Sequence, residues 1–163
     1  METEDSDVHI SQLNPAEAGR VADLIADIIS SLTYYNDRAR TEEVAKYGRR
    51  QLVARWQADP DSVLVARKGN HPVGFCISRY DDGLIWVEWF GVQKEHRCCG
   101  IGGELLRTLA TTLARRRAHK IWCDTRTENL LSQSVLTRLG FVRTGHFVNH
   151  WYGQDFFIWQ WQP

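Results

Sequence analysis

The chain has 163 residues, 20 Lys and Arg against 20 Asp and Glu, 43% hydrophobic residues and seven Trp. This length suits one domain, read as residues 1–163, and the zero net charge excludes a nucleic-acid protein that works through a globally basic surface. No apolar run approaches the ~20 residues that span a bilayer, and the acidic opening Met1–Asp7 lacks the basic-then-apolar pattern of a signal peptide, so a soluble, cytoplasmic chain with no membrane partner is expected.

After a short apolar segment at Val8–Leu13, the run Asn14-Pro15-Ala16-Glu17 supplies an N-cap, a first-turn proline and a reciprocating glutamate. Val21, Leu24, Ile25, Ile28, Ile29 and Leu32 then recur at helical spacing. A second helix is predicted from near Thr41, carrying Val44, Tyr47, Leu52 and Trp56 to a stop at Asp59-Pro60. The period then becomes that of strands. Ser62–Arg67 and Val73–Tyr80 read as a hairpin, and Asp81-Asp82-Gly83 turns the chain into Leu84–Val92. Ile101, Leu105, Leu106, Leu109 and Leu113 stripe a third helix whose last turn holds Arg115, Arg116 and Arg117. Ile121–Asp124 is a short strand. Asn129 opens a fourth helix, with Leu131, Val135, Leu136 and Leu139 inward and Gly140 as its left-handed cap. Two strands, about Phe141–Asn149 and Asp155–Trp161, end the chain. This order predicts an α/β (α+β) fold, a single sheet with helices on its faces.

The four cysteines, Cys76, Cys98, Cys99 and Cys123, form no CxxC pair and show no Cys/His spacing suited to zinc, so no metal is expected. Neighbouring Cys98 and Cys99 are poorly placed for a disulfide, and reduced thiols fit the cytosol.

The chemistry concentrates between Leu84 and Phe141, around Arg97-Cys98-Cys99-Gly100-Ile101-Gly102-Gly103. Glycines between a strand and an amphipathic helix allow a tight loop whose backbone amides, with the positive helix N-terminus, can hold a phosphate. The loop lacks both the GK[ST] ending of a P-loop and the GxGxxG of dinucleotide folds. Cations at Arg97, Arg107, Arg115, Arg116, Arg117 and Lys120, with Arg126 nearby, suit an anionic ligand. Arg115–Arg117 read equally as a solvated helix end.

The strand Leu84–Val92, this loop, the leucine-striped helix and the stretch from Asn129 to Leu139-Gly140-Phe141 together resemble the acetyl-CoA-binding core of the GNAT N-acetyltransferases. The resemblance implies a single mixed, mostly antiparallel sheet of about seven strands flanked by about four helices. It also implies transfer of an acetyl group from acetyl-CoA, as co-substrate, directly to a primary amine of a small molecule or protein. Phe90, Gly91 and Val92 would offer backbone groups to the pantetheine arm, with the amide near Val92 polarising the thioester carbonyl. Arg97 and the amides of Cys98, Cys99, Gly100, Ile101, Gly102 and Gly103 would hold the pyrophosphate. Asn129 stands where the family places a pantetheine-binding asparagine, with Ser132 counted beside it.

Many family members carry a tyrosine four residues before the Gly-Phe pair, as the acid that protonates the departing thiolate. This chain has Leu136 there. Tyr152 and His150, in the polar link between the last strands, are the candidate substitutes, although a loop histidine is commonly a surface residue. A thiol is itself a tolerable leaving group near neutral pH. For the base that deprotonates the acceptor, Glu88 and Asp124 qualify. Asp124 ends the strand on which some ribosomal-protein alanine acetyltransferases carry a catalytic glutamate. Glu88 is preferred, as an acidic residue among half-buried strand neighbours. The plain alternatives are an ion pair to an arginine for Glu88 and a turn cap for Asp124.

Trp86, Trp89, Trp151, Tyr152, Trp159 and Trp161 are too many for the core to hide entirely, so some of them are expected to line an acceptor groove; Trp159 and Trp161 suit equally the core or a homodimer face involving the last strand. The acceptor stays open among a protein N-terminus, a lysine, a polyamine, an aminoglycoside and other small metabolites. A competing reading, prompted by Leu136, is a CoA-binding regulatory protein with a degenerate catalytic site.

Overall fold

In the computed structural model, which describes residues 7–163, one sheet holds seven strands: β1 (Val8–Gln12), β2 (Val63–Lys68), β3 (His71–Asp81), β4 (Leu84–Val92), β5 (Lys120–Arg126), β6 (Val142–Phe147) and β7 (Phe156–Trp161). Their order is β1-β2-β3-β4-β5-β7-β6, and every pairing is antiparallel except β4 with β5. Five helices cover it: α1 (Ala18–Ser30), α2 (Asp37–Ala45), α3 (Arg49–Ala58), α4 (Ile101–Thr111) and α5 (Leu130–Arg138). The acidic stretch 1–6, part of the expectation of no signal peptide, lies outside the described residues. Among the described residues no helix is long and apolar enough to cross a membrane.

Side-chain alternation splits the core between the two faces of the sheet. Val63, Val65, Phe75 and Ile77 pack with the buried stripe of α1, Val21, Leu24, Ile25, Ile28 and Ile29, and with Leu52 of α3. Leu64, Ala66, Cys76, Ile85 and Ile121 pack on the opposite face, against Leu105, Leu106 and Leu109 of α4 and Leu136 of α5. Each such fully buried aliphatic side chain contributes roughly 1.5–3 kcal/mol, so the sheet is fixed firmly between two helical layers.

The helix predicted from Thr41 to Trp56 is two helices. Asn36 caps α2, its side chain accepting from the Ala39 amide, and the chain breaks before extended Gly48, which starts α3. Tyr47, at the break, is buried at 3% exposure, so the apolar spacing that suggested one helix belongs to two elements meeting one core. The α4 helix ends at Thr111, before the arginines assigned to its last turn. Arg115 bonds Asp61 through Nε and Nη2 (2.6 and 2.8 Å), and Arg116 bonds Asp59 through Nε and Ser78 Oγ through Nη1 (both 2.9 Å). Both are engaged by carboxylates, Arg116 buried and Arg115 still more than half exposed. They tie the exit of α4 to the chain that enters β2. Leu131, expected inward, is 50% exposed. The last strand, β7, lies between β5 and β6, so it offers no free edge for a dimer.

An irregularity in β4 matters for the site. Ile77 of β3 faces Trp89, but the next residue, Ser78, faces Val87. Glu88 has no opposite number and forms a bulge, a device that re-aims side chains. Trp86, Glu88 and Trp89 thereby look toward the α1–α3 side, while Phe90 and Val92 pack on the α4 side.

Candidate active site

The parallel pairing of β4 and β5 covers only Leu84–Val87 against Lys120–Cys123. Beyond it the strands part. Trp89 to Val92 stay paired to β3 and Asp124 to Arg126 to β7, leaving a wedge whose walls are strand edges. Backbone groups on such edges can accept an extended ligand as an added strand.

On the α4 side the wedge meets the glycine loop. Gly100 caps α4 with φ +81°, no side chain caps the helix, and the first intrahelical bond runs from the Glu104 amide to the Gly100 carbonyl. The amides of Ile101, Gly102 and Gly103 therefore have no partner within the helix and sit at its positive end. Nothing lies within 4 Å of where a Gly100 side chain would begin, so the cradle is open. Cys98 (φ +62°) and Cys99 are exposed on the same loop. Arg97 turns back to the strand, its Nε donating to the Val92 carbonyl at 2.9 Å. A phosphate-bearing ligand whose arm extends along β4 fits these residues. Asn129 caps α5, accepting from the Ser132 amide at 3.1 Å and donating to Ser132 Oγ at 2.9 Å.

On the opposite side the wedge opens into a cavity of about 110 Å³. It brings together Glu88, Asp124 and Tyr152 and leaves out His150, which is exposed and packs against Trp151 and Phe147. Glu88 is ion-paired to Arg55 of α3, with Oε2 and Nη1 2.5 Å apart, and Arg79 stands 4.0 Å from its other oxygen. Asp124 has one side-chain donor, Trp86 Nε1, at a long 3.4 Å. Burial raises the Asp124 carboxyl to about 7, helped by the negative charges of Glu43 and Glu88 and opposed by the Trp86 bond. The Tyr152 hydroxyl donates to Glu43 Oε1 at 2.7 Å, and burial together with that carboxylate pushes the phenol above its ordinary value.

The structure adds residues that sequence reasoning passed over. Glu43 of α2 accepts from Trp89 Nε1, Lys46 Nζ and the Tyr152 hydroxyl. Tyr35, from the α1–α2 connection, leans on Trp89 and Phe156. Arg126, counted from sequence among the cations suited to an anionic ligand, places its guanidinium between Tyr35 and Phe156 and bonds the Asp155 carbonyl. The only sequence signal for these was the paired Tyr34-Tyr35 after the first helix. Of the tryptophans, Trp86, Trp89 and Trp151 line the cavity, whereas Trp159 is core, bonded to Thr125 Oγ1, and Trp161 packs near Phe141.

Comparison with known proteins agrees with this architecture. The family model described as "Acetyltransferase (GNAT) family" matches residues 28–141, and the chain belongs to that family, as an acyltransferase. The fold is similar to the PaiA N-acetyltransferase of Thermoplasma acidophilum, solved with coenzyme A, at a TM-score of 0.81 and 17% identity over 96% of this chain and 99% of that one. It is also similar to the ribosomal-protein-alanine N-acetyltransferase of Brucella melitensis (TM-score 0.75, 20% identity, 95% and 99% covered). A chain of the NatC complex bound to Gag peptide and CoA is similar at a TM-score of 0.75 and 16% identity, with 96% and 99% covered. No curated protein matches the sequence.

Proposed function

We propose that the protein transfers an acetyl group from acetyl-CoA directly to a primary amine, with Asp124 as the base. One observation carries this reading: β4 and β5 part between an uncapped helix N-terminus on one face and a partly buried, weakly bonded carboxylate on the other. Acetyl-CoA supplies an acetyl thioester. The amides of Ile101 to Gly103 hold the pyrophosphate, and the free edge of β4 from Glu88 to Val92 takes the pantetheine arm and offers an N–H to the carbonyl oxygen. Asp124 takes a proton from the substrate ammonium and so frees the nitrogen lone pair. A base near pH 7 is matched to that task. Glu88, preferred on sequence, has its carboxylate engaged by Arg55 and serves to set the field around Asp124.

No side-chain acid replaces the family tyrosine in this scheme. Leu136 is fully buried in the core, and the Tyr152 proton is directed at Glu43. The thiolate leaves with its own modest basicity. Free-thiol release from acetyl-CoA across a panel of amines tests the reading. Asp124→Asn is expected to lower kcat/KM by about 100-fold or more with acetyl-CoA affinity unchanged. Tight acetyl-CoA binding with no turnover of any amine would instead favour a CoA-binding regulatory protein.

A further inference from the structure

We propose that the acceptor is a compact primary monoamine with an aromatic or short apolar body, rather than a polyamine or a peptide; this rests on the acetyl-transfer reading above. The cavity sets the size. Its volume is about 110 Å³, and a dry cavity of about 150 Å³ holds a benzene. The space is smaller than that, so it takes a short apolar chain, or the edge of a ring whose remainder lies at the open side, beside the ammonium.

Two connections far apart in sequence, each contributing to the cavity wall, are bonded to each other beside it. The Asn36 amide, between α1 and α2, donates to Gln154 Oε1 at 3.1 Å, between β6 and β7. Asn36 Nδ2 donates to the Tyr152 carbonyl and Gln154 Nε2 to the Tyr34 carbonyl, each at 3.0 Å. An extended peptide laid across both connections would compete with these bonds.

Charge balance points to a single ammonium. Glu43 already accepts from Lys46, Trp89 and Tyr152, and Glu88 is held by Arg55. Asp124 is the one carboxylate of the three left with a single weak donor. A second ammonium on the same substrate would find no free anion, and would meet Lys46 and Arg55 beside the anions that are taken.

The remaining walls are rings. Tyr35, Trp86, Trp89, Trp151 and Phe156 surround the space before Asp124. Trp86 is held flat against Trp122, with centroids 5.1 Å apart and planes 6° apart. Such walls favour an ammonium carried on an apolar or aromatic body, through cation–π attraction and ring packing.

Thiol release is measured with phenylethylamine, butylamine, spermidine and a short peptide bearing a free N-terminus. The same amines are titrated into the CoA-bound protein by tryptophan fluorescence, which reads the cavity rings without turnover. Phenylethylamine is expected to exceed spermidine and the peptide in kcat/KM by about tenfold or more. The pair Asn36→Ala with Gln154→Ala, which removes the side-chain bonds between the two connections, is expected to narrow that margin. Preference for spermidine or the peptide overturns the inference and leaves acetyl transfer standing. Phenylethylamine binding without turnover of any amine supports the assigned selectivity and overturns the transfer reading. If phenylethylamine neither binds nor reacts, the inference is wrong.

Discussion

As the proposed base, Asp124 would couple catalysis to stability with opposite signs, which allows the two to be separated in one variant. As a base it works deprotonated, so kcat/KM is expected to rise with pH through about 7 and then level. The folded protein keeps this proton to about pH 7, whereas the unfolded chain releases it near the ordinary 3.8. Between those values the native state binds more protons than the unfolded state, so this residue lowers stability as pH rises. Asp124→Asn removes the penalty. Denaturation at pH 8 should show the variant more stable than wild type by on the order of 2 kcal/mol, the difference vanishing below about pH 4. An inactive variant that is also more stable identifies lost chemistry rather than lost fold.

On the proposed reading the glycine loop and α4 act as one element, whose phosphate affinity would come from backbone rather than side chains. Gly102→Asp places an anion among the unpartnered amides while its first side-chain carbon meets only ordinary contacts, 3.8 Å from Phe90. Acetyl-CoA affinity by calorimetry is expected to fall about tenfold or more, with the melting temperature of the free protein little changed. The loop, β4 and α1 were legible in the sequence because turn residues and apolar periods mark them locally. The bounds of β4 fall at Leu84 and Val92 as read, since Asp81-Asp82-Gly83 leaves the chain no other place to reverse. The break between α2 and α3 was not legible, because Val44, Tyr47, Leu52 and Trp56 mimic one helical face. The acceptor cavity was half legible. Its tryptophans stand out by number, but Glu43 becomes a site residue only through Trp89 and Tyr152, 46 and 109 positions away. No local pattern records such a meeting, and nothing in Trp86-Val87-Glu88-Trp89 announces a bulge.

At the scale of the molecule, two helical layers hold a sheet that is parted at its centre, and acetyl-CoA would bridge the parting. Any ligand that binds only the native state stabilises it by RT ln(1 + [L]/Kd), about 2.7 kcal/mol at a hundredfold excess over Kd. Hydrogen exchange should show that gain concentrated at Glu88–Val92 and Asp124–Arg126, the strand segments that lack each other as partners. Protection spread evenly over all seven strands would mean that the ligand binds elsewhere.

The single extra residue at Glu88 shifts the parity of the faces along β4. Upstream of it, even-numbered positions face the acceptor; downstream, odd-numbered ones do, Gly91 among them and toward α1, where an added side-chain carbon would come within 3.1 Å of Phe75 and 3.2 Å of Ile28. Changing the residue and removing it are therefore different experiments. Glu88→Gln keeps the count and should fold, with part of the Arg55 attraction lost. Deleting Glu88 would let Trp89 follow Val87 in regular alternation, so Trp89, Phe90, Gly91 and Val92 keep their faces while the bulge and the partner of Arg55 are lost together. Both variants are expected to melt cooperatively, and only the deletion should raise amide protection along Val87–Trp89, as the β3–β4 ladder becomes regular. In this strand the extra residue adds a carboxylate to the site without deciding which face its neighbours take.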